Sequence, residues 1–186
     1  MQKVKSENIS DLIKPLAEQL PTAVRGVDMH VKMGEIIEDQ PDDIRSQLKA
    51  YLENFLLKMD KLNASDIDMG GPGCNHKIWY RIFGKKSPLK KPDDLDYITT
   101  DFLFHNIVLP SQREILINNK NLDFSFSLKL DEQKNQRFRA DLYFDLEHLA
   151  LNMRMIDNTI RPFKELGTHP EVARALSLKY YKYGMT

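Results

Sequence analysis

A single cysteine, Cys74, leaves no disulfide to close within the chain, and the opening MQKVKSENIS lacks the apolar core of a secretory signal. Both absences point to a reducing cytoplasm. No apolar run approaches the about 20 residues that cross a bilayer, and there is no internal repeat or low-complexity tract. Net charge is missing too: Lys plus Arg and Asp plus Glu number 27 each, so no global field draws the chain to nucleic acid or anionic lipid. Charge-based recognition must be local. Glycine is scarce at eight residues, and none of them opens a phosphate loop. In GGPGCNHKIWYRIFGKKSP (70–88) the required Gly, four residues, Gly-Lys-Ser/Thr fails twice, because Lys86 follows Gly84-Lys85 and Trp79 holds the first-glycine position. Gly-x-Ser-x-Gly is absent as well, so hydrolysis is not expected on this chain by itself.

What is present is a globular composition, 41% apolar over 186 residues, enough for one ordinary domain with additional elements. Ser10 is the expected N-cap of a short helix through DLIKPLAEQL, kinked or shortened by Pro15. VDMHVKMGEIIED stays open between strand, helix and linker. In PDDIRSQLKAYLENFLLKMDKLN, Ile44, Leu48, Leu52, Phe55, Met59 and Leu62 recur every three or four residues after Pro41 and two aspartates, which predicts a long helix.

From residue 64 the period changes to two. Ile78, Tyr80 and Ile82 alternate with Trp79, Arg81 and Phe83; Phe124, Phe126 and Leu128 with Ser125, Ser127 and Lys129; Phe138, Ala140, Leu142 and Phe144 with Arg137, Arg139, Asp141 and Tyr143. LALNMRMI continues the alternation after a short DLEH connection, the spacing of an antiparallel hairpin. Between strands, KPDDLDYITTDFLFHNIVLPSQREILINNK predicts two helical pieces broken at Pro110, the second opened by Ser111 with Glu114 three residues on. THPEVARALSLKYY predicts a last helix, capped by Thr168 with Pro170 in its first turn. The expectation is an α+β domain, an antiparallel sheet with helices on one face.

Residues 145–148 as the hairpin loop would set Arg139 opposite Arg154 on the polar side, with Arg137 two residues along. Like charges directly opposite are unfavourable by up to ~1 kcal/mol per pair, so compensation is expected. Two readings stand. Asp141 and Asp145 neutralise the face as ordinary surface ion pairs, or the guanidiniums are arranged for an anion, phosphate suiting their fixed fork. Arg81, on a third strand, would join them.

At these residues the chain resembles a known family. ASDIDM (64–69), WYRIFG (79–84), LDFSFSL (122–128), RFRADLYF (137–144), LNMRMI (151–156) and IRPFKELGTHPEVARAL (160–176) together are similar, in order and spacing, to the N-terminal domain of type IV pilus retraction (twitching-motility, PilT-like) ATPases and the related assembly and type II secretion ATPases. The resemblance covers about residues 60–180. It implies a helical N-terminal extension (1–60), a PAS-like domain (61–166) and a linker helix (167–186) leading to an absent RecA-like motor domain that carries the Walker motifs with ATP and Mg²⁺. It further implies a hexameric ring in a cytoplasmic protein peripheral to the bacterial inner membrane, with neighbouring subunits and an inner-membrane pilus or secretion platform protein as partners. In the family, N-terminal arginines approach nucleotide held by the motor, which makes Arg81, Arg137, Arg139 and Arg154 the candidate phosphate-facing residues. Two positions depart from the pattern: Asp68 stands where the family has His, and Phe83 where it has Asp or Asn. GGPG then serves turn geometry rather than phosphate.

Other groupings have plainer readings. The five histidines, His30, His76, His105, His148 and His169, are scattered in sequence, and Cys74 with His76 supplies at most two of the usual four zinc ligands, so no metal is expected. Asp42-Asp43 and Asp93-Asp94 follow prolines, as helix starts do, without calcium-loop spacing. The lysine run GKKSPLKKP lacks the aromatic interleaving of a nucleic-acid platform, and no nucleic-acid partner is expected. The alternative to a motor domain fragment is a free-standing PAS-like module that binds a small molecule or a protein.

Overall fold

The computed structural model describes residues 9–88, 95–131, 134–157 and 162–176. Asp93-Asp94 and the second half of the lysine run lie outside these residues, as does the end of the segment read as the last helix. The described residues up to Ile156 form one compact unit and those from Asp157 a second. No helix among them is long and apolar enough to cross a membrane.

The first unit begins with three helices. In α1 (Ile9–Ala17) Ser10 lies inside the helix rather than capping it, and Pro15 is accommodated within. The segment left open between strand and helix is α2 (Gly26–Glu38), which buries Met29, His30, Met33, Gly34, Ile36 and Ile37. Its period is hidden in the sequence because a histidine and a glycine occupy two of the inward positions. The long helix is α3 (Asp42–Leu62), with Asp42 and Asp43 in its first turn and a left-handed Asn63 ending it. Leu48, Leu52, Phe55, Leu56 and Met59 are its buried face, each worth roughly 1.5–3 kcal/mol of transfer free energy.

Strand β1 (Ala64–Gly70) leads into a one-turn helix, α4 (Gly71–Cys74), and the short strands β2 (Trp79–Ile82) and β3 (Lys85–Pro88). Residues 85–88 of the lysine run therefore form an edge strand, and lysine and proline are residues that discourage further pairing at an edge. Next come α5 (Tyr97–Ile107) and α6 (Pro110–Asn119). Ser111 does not open α6: Leu109 holds the cap position, Pro110 takes the first turn, and the Gln112 side chain accepts from the Leu109 N–H at 2.9 Å. Strands β4 (Asn121–Lys129), β5 (Asn135–Asp145) and β6 (His148–Ile156) complete one antiparallel six-stranded sheet in the order β3-β2-β1-β6-β5-β4.

One sheet face presents Ile67, Tyr80, Phe126, Phe138, Ala140, Leu142, Leu151 and Met153, all buried. Helices α3, α5 and α6 pack against this face, and α1 and α2 lie on α5. Sandwiched this way, α5 buries every residue from Thr99 to Asn106. The Tyr80 hydroxyl ties sheet to helix by donating to the Phe55 carbonyl at 3.0 Å. Two glycines are required where β1 turns into α4. A Cβ at Gly70 (φ +74) would lie 2.5 Å from the Phe104 ring, and one at Gly71 (φ +61) 2.7 Å from the Asp145 carboxylate. That carboxylate accepts from the Gly73 N–H at 2.6 Å, so GGPG binds the protein's own aspartate.

In the second unit, α7 (Pro170–Ala175) is capped by His169, whose Nδ1 accepts from the Glu171 N–H, and not by Thr168.

Candidate functional site

The uncovered face of the sheet carries the charges. Register places Lys86, Arg81, Asp66, Arg154, Arg139 and Ser125, one from each strand, in a single row across all six strands. The neighbouring row is Trp79, Asp68, Asn152, Asp141 and Asp123. Arg139 stands directly opposite Arg154, as the hairpin spacing predicts, although the loop is tighter than four residues: Asp145 pairs with His148 and only Leu146 and Glu147 turn the chain. Leu146 takes the left-handed φ of +57° that such turns impose on a central residue. Arg137 lies one row further on, beside Ser127 and Ile156. All four candidate arginines therefore project from one side of the sheet.

Their compensation differs from expectation. Asp145 is engaged with Gly73, and the central counter-charge is Asp66, only 3% exposed, which the paired-carboxylate reading overlooked. Its Oδ1 accepts from Arg154 Nε at 2.7 Å, and its Oδ2 lies 3.4 Å from Arg81 Nε while accepting from the Ser65 hydroxyl at 2.7 Å. A register irregularity in β1 between Ala64 and Asp66 supplies that extra serine. Burial raises the Asp66 carboxyl pKa, but the Ser65 and Arg154 hydrogen bonds and the charges of Arg154 and Arg81 outweigh it and hold the pKa below the usual value. Arg139 reaches Asp123 instead, its Nε and Nη2 converging on one oxygen at 3.4 and 3.2 Å.

These contacts leave the distal nitrogens of Arg81 and Arg154 largely uncommitted. Arg154 and Arg81 meet Asp66 through Nε, the inner nitrogen, so the buried carboxylate grips the base of each fork rather than its outer N–H groups. Beyond that, Arg81 makes one long donation, Nη1 to the Gly84 carbonyl at 3.4 Å. The side chains of Arg81, Arg154 and Arg139 are 42%, 68% and 72% exposed. In the second row Asn152 donates to Asp68 at 2.9 Å and the Lys86 ammonium lies 3.1 Å from the same carboxylate. Asp141 sits opposite Asp123, and burial first, then that neighbouring charge, raises its pKa. A cavity of about 250 Å³ lined by Asp123, Arg139, Asp141, Asn152 and Arg154 opens between the rows. Such a face can take anionic oxygen on outward N–H groups. No group of three or more metal-ligating side chains occurs among the described residues.

Four of the histidines, His30, His76, His105 and His148, are scattered in sequence but gather in space. His30 of α2 and His105 of α5 are fully buried and bonded to each other at 3.0 Å. The Glu147 carbonyl, which can only accept, lies 2.9 Å from His30 Nε2 and so assigns the proton there; His30 Nδ1 must then accept from His105 Nε2, leaving His105 Nδ1 a buried acceptor with no partner. Beside them, His148 donates to the buried Asp101 at 2.7 Å, and Asp101 also accepts from the Leu149 N–H at 2.8 Å. Tyr97 stacks on His76 and leans on His148. Burial lowers the pKa of His30 and of His105, the latter well below the usual 6.5, whereas the Asp101 hydrogen bond raises that of His148. These groups join α2 and α5 to the β5–β6 turn. No spacing rule in the sequence brings positions 30, 105 and 148 together.

No family model and no curated protein matches this sequence. Among solved structures, the ATPase DotB of Legionella pneumophila is similar at a TM-score of 0.56 with 16% identity, over 69% of this chain and 35% of DotB. The pilus retraction motor PilT with bound ADP aligns at a TM-score of 0.48 with 26% identity, over 63% of this chain and 32% of its own. DotB of Yersinia pseudotuberculosis aligns at 0.49 with 15% identity, over 66% and 34%. The Legionella likeness establishes a shared fold. The match takes in about a third of the length of each of these proteins.

Proposed function

We propose that this chain is the non-catalytic N-terminal part of a pilus or secretion motor ATPase, and that its polar sheet face meets nucleotide phosphate presented by a motor domain. The observation that carries the reading is the row of guanidiniums in which the buried Asp66 holds Arg81 and Arg154 through Nε and the exposed Asp123 pairs with Arg139. An arginine held at Nε loses little further freedom when its outer N–H groups take a phosphate oxygen, and fork geometry suits that oxygen better than a lysine ammonium does. The motif order from ASDIDM to the final helix and the fold shared with part of DotB support the same reading.

In this mechanism ATP and Mg²⁺ are held by the RecA-like motor domain, in a hexameric ring next to an inner-membrane platform protein. Arg81, Arg139 and Arg154, with Arg137 at the rim, respond to the charge that appears and leaves during turnover. Loss of the terminal phosphate weakens the contact and lets the sheet domain move relative to the motor, a hinge movement of the kind that nucleotide switches use. The test joins this chain to its motor domain and compares Arg139→Ala and Arg154→Ala with the parent. ATPase turnover is expected to fall by about tenfold or more, the scale of one lost charge-assisted contact in a desolvated site. Unchanged turnover in both variants refutes the assignment.

A further inference from the structure

The two edges of the sheet are built differently. Strand β3 is four residues long, carries Lys85 and Lys86 and ends in Pro88, features by which an edge refuses another strand. Strand β4 has none of them. It runs nine residues without proline, and between its two ends it holds a single charge, Asp123. It pairs with β5 on one side and, among the described residues, with no strand on the other. A long alternating edge without such protection is a template for a strand of another chain.

The chain that fits is indicated by the strand itself. NLDFSFSLK reads nearly alike in both directions about Ser125: Phe124 mirrors Phe126, Leu122 mirrors Leu128, and Asp123 mirrors Ser127. Two copies paired antiparallel about a two-fold axis at Ser125 therefore set Phe124 opposite the second copy's Phe126 and Leu122 opposite its Leu128. Aromatic pairs of this kind are favourable, and the parity keeps the apolar side chains of both copies on the helix-covered face. Phe126 lines a cavity of about 460 Å³ with Lys49 and Ile107, which leaves room beside it for another ring. On the polar face Asp123 meets a hydroxyl, the second copy's Ser127, and not its own image. Ser127 stands opposite Arg137 of β5, so Asp123 of one copy shares a row with Arg137 of the other. Other registers of the same parity shorten the pairing, and the one centred on Asp123 sets two carboxylates face to face.

We infer that the β4 edge is an interface for a second copy of this chain, joined through β4 to β4 about Ser125 into one continuous antiparallel sheet. The contact is isologous, unlike the head-to-tail contacts that close a ring. It rests on β4 alone, so its failure leaves the motor reading as it stands.

Sedimentation equilibrium of the 186-residue chain tests this. A monomer–dimer equilibrium is expected, with a dissociation constant of about 100 μM or tighter. Ser125→Glu combined with Ser127→Glu sets like charges opposite one another across the interface, while each new carboxylate still faces an arginine of its own β5, Arg139 or Arg137. The dissociation constant should rise about tenfold or more. Ser125→Cys places two thiols across the axis, with Cα atoms about 4.5–5.5 Å apart, and should give a disulfide-linked dimer under mild oxidation. Ser127→Cys should not, because its two copies lie roughly 13 Å apart along the strands. Cys74 is buried and does not compete. A chain that stays monomeric at several times the expected dissociation constant overturns the proposal and leaves β4 to a strand of a different protein. Association of parent strength in the double variant, with an unfolding curve matching the parent, overturns it too by placing the contact elsewhere. So does cross-linking of Ser127→Cys as readily as Ser125→Cys, which stands as a test even if the double variant fails to fold.

Discussion

The exposed face of the sheet and the histidine network beneath the helices are both built from charged and polar side chains, yet they answer opposite physical demands. On the sheet face, Arg139, Arg154 and Arg81 remain substantially in water, and only their carboxylate anchor Asp66 is buried. Exposed ion pairs of this kind contribute little to stability, so their arrangement is free to serve recognition. Around His30, His105 and Asp101 water is excluded, and each hydrogen bond replaces one that solvent would have made. There a missing partner is expensive, and the network couples the β5–β6 turn to α2 and α5. The contrast teaches that a buried polar cluster in this protein joins helices to sheet, while the outward arginine forks add little to the fold and, in the function proposed above, meet another molecule.

Breaking the joint should have the largest effect. Asp101→Ala strips acceptors from His148 and from the Leu149 N–H in a dry environment, and a loss of about 3 kcal/mol is expected in urea unfolding. Removing the anchor of the sheet face comes next. Asp66→Ala leaves Arg81 and Arg154 in place but deletes charge-assisted bonds to a buried carboxylate, for an expected loss of about 1–2 kcal/mol. A loss as large as that of Asp101→Ala would erase the distinction between the two regions.

The pH dependence of stability should sharpen the contrast further. His30 and His105 have folded-state pKa values below 6.5, so the unfolded chain binds protons first and stability falls as pH drops below 6.5 toward the depressed folded values. His148 runs the other way. Its folded pKa is raised, so its contribution is complete below 6.5 and fades as pH climbs through the folded value. Denaturant midpoints measured from pH 5 to 8 should show the acid-side fall in the parent, and His148→Gln should remove the fade on the other side. The smallest effect belongs to Arg139→Ala, whose partner Asp123 is itself 56% exposed: stability should change by less than about 0.5 kcal/mol. A large destabilisation would move Arg139 from the recognition surface to the structural joint.

Much of the fold can be read from local pattern. Alternation names β2, β4, β5 and β6 and separates their two faces, because a pleated strand turns every second side chain the same way. The distance between the two runs around residues 145–148 sets Arg139 against Arg154, since a short turn leaves the hairpin few registers. Helix boundaries are less legible. Helix α6 starts at Pro110 rather than after Ser111, and His169 holds the cap expected of Thr168, because in both helices a proline opens the first turn and sets the cap at the residue before it. Helix α2 was ambiguous since His30 and Gly34 face inward for tertiary reasons: one reaches the Glu147 carbonyl, and the other makes room for the Arg113 side chain, 3.1 Å from where a Cβ would sit.

By itself the sequence determined which face of β2, β4, β5 and β6 is polar and that Arg137, Arg139 and Arg154 share one, because those relations follow from chain geometry over a few residues. Only the tertiary structure decided that β1 lies beside β6, that Asp66 therefore sits under Arg154 from 88 positions away, and that His30, His105 and His148 meet. Such contacts depend on how distant segments close around a common core, and any of several closures would have kept the same local periodicity.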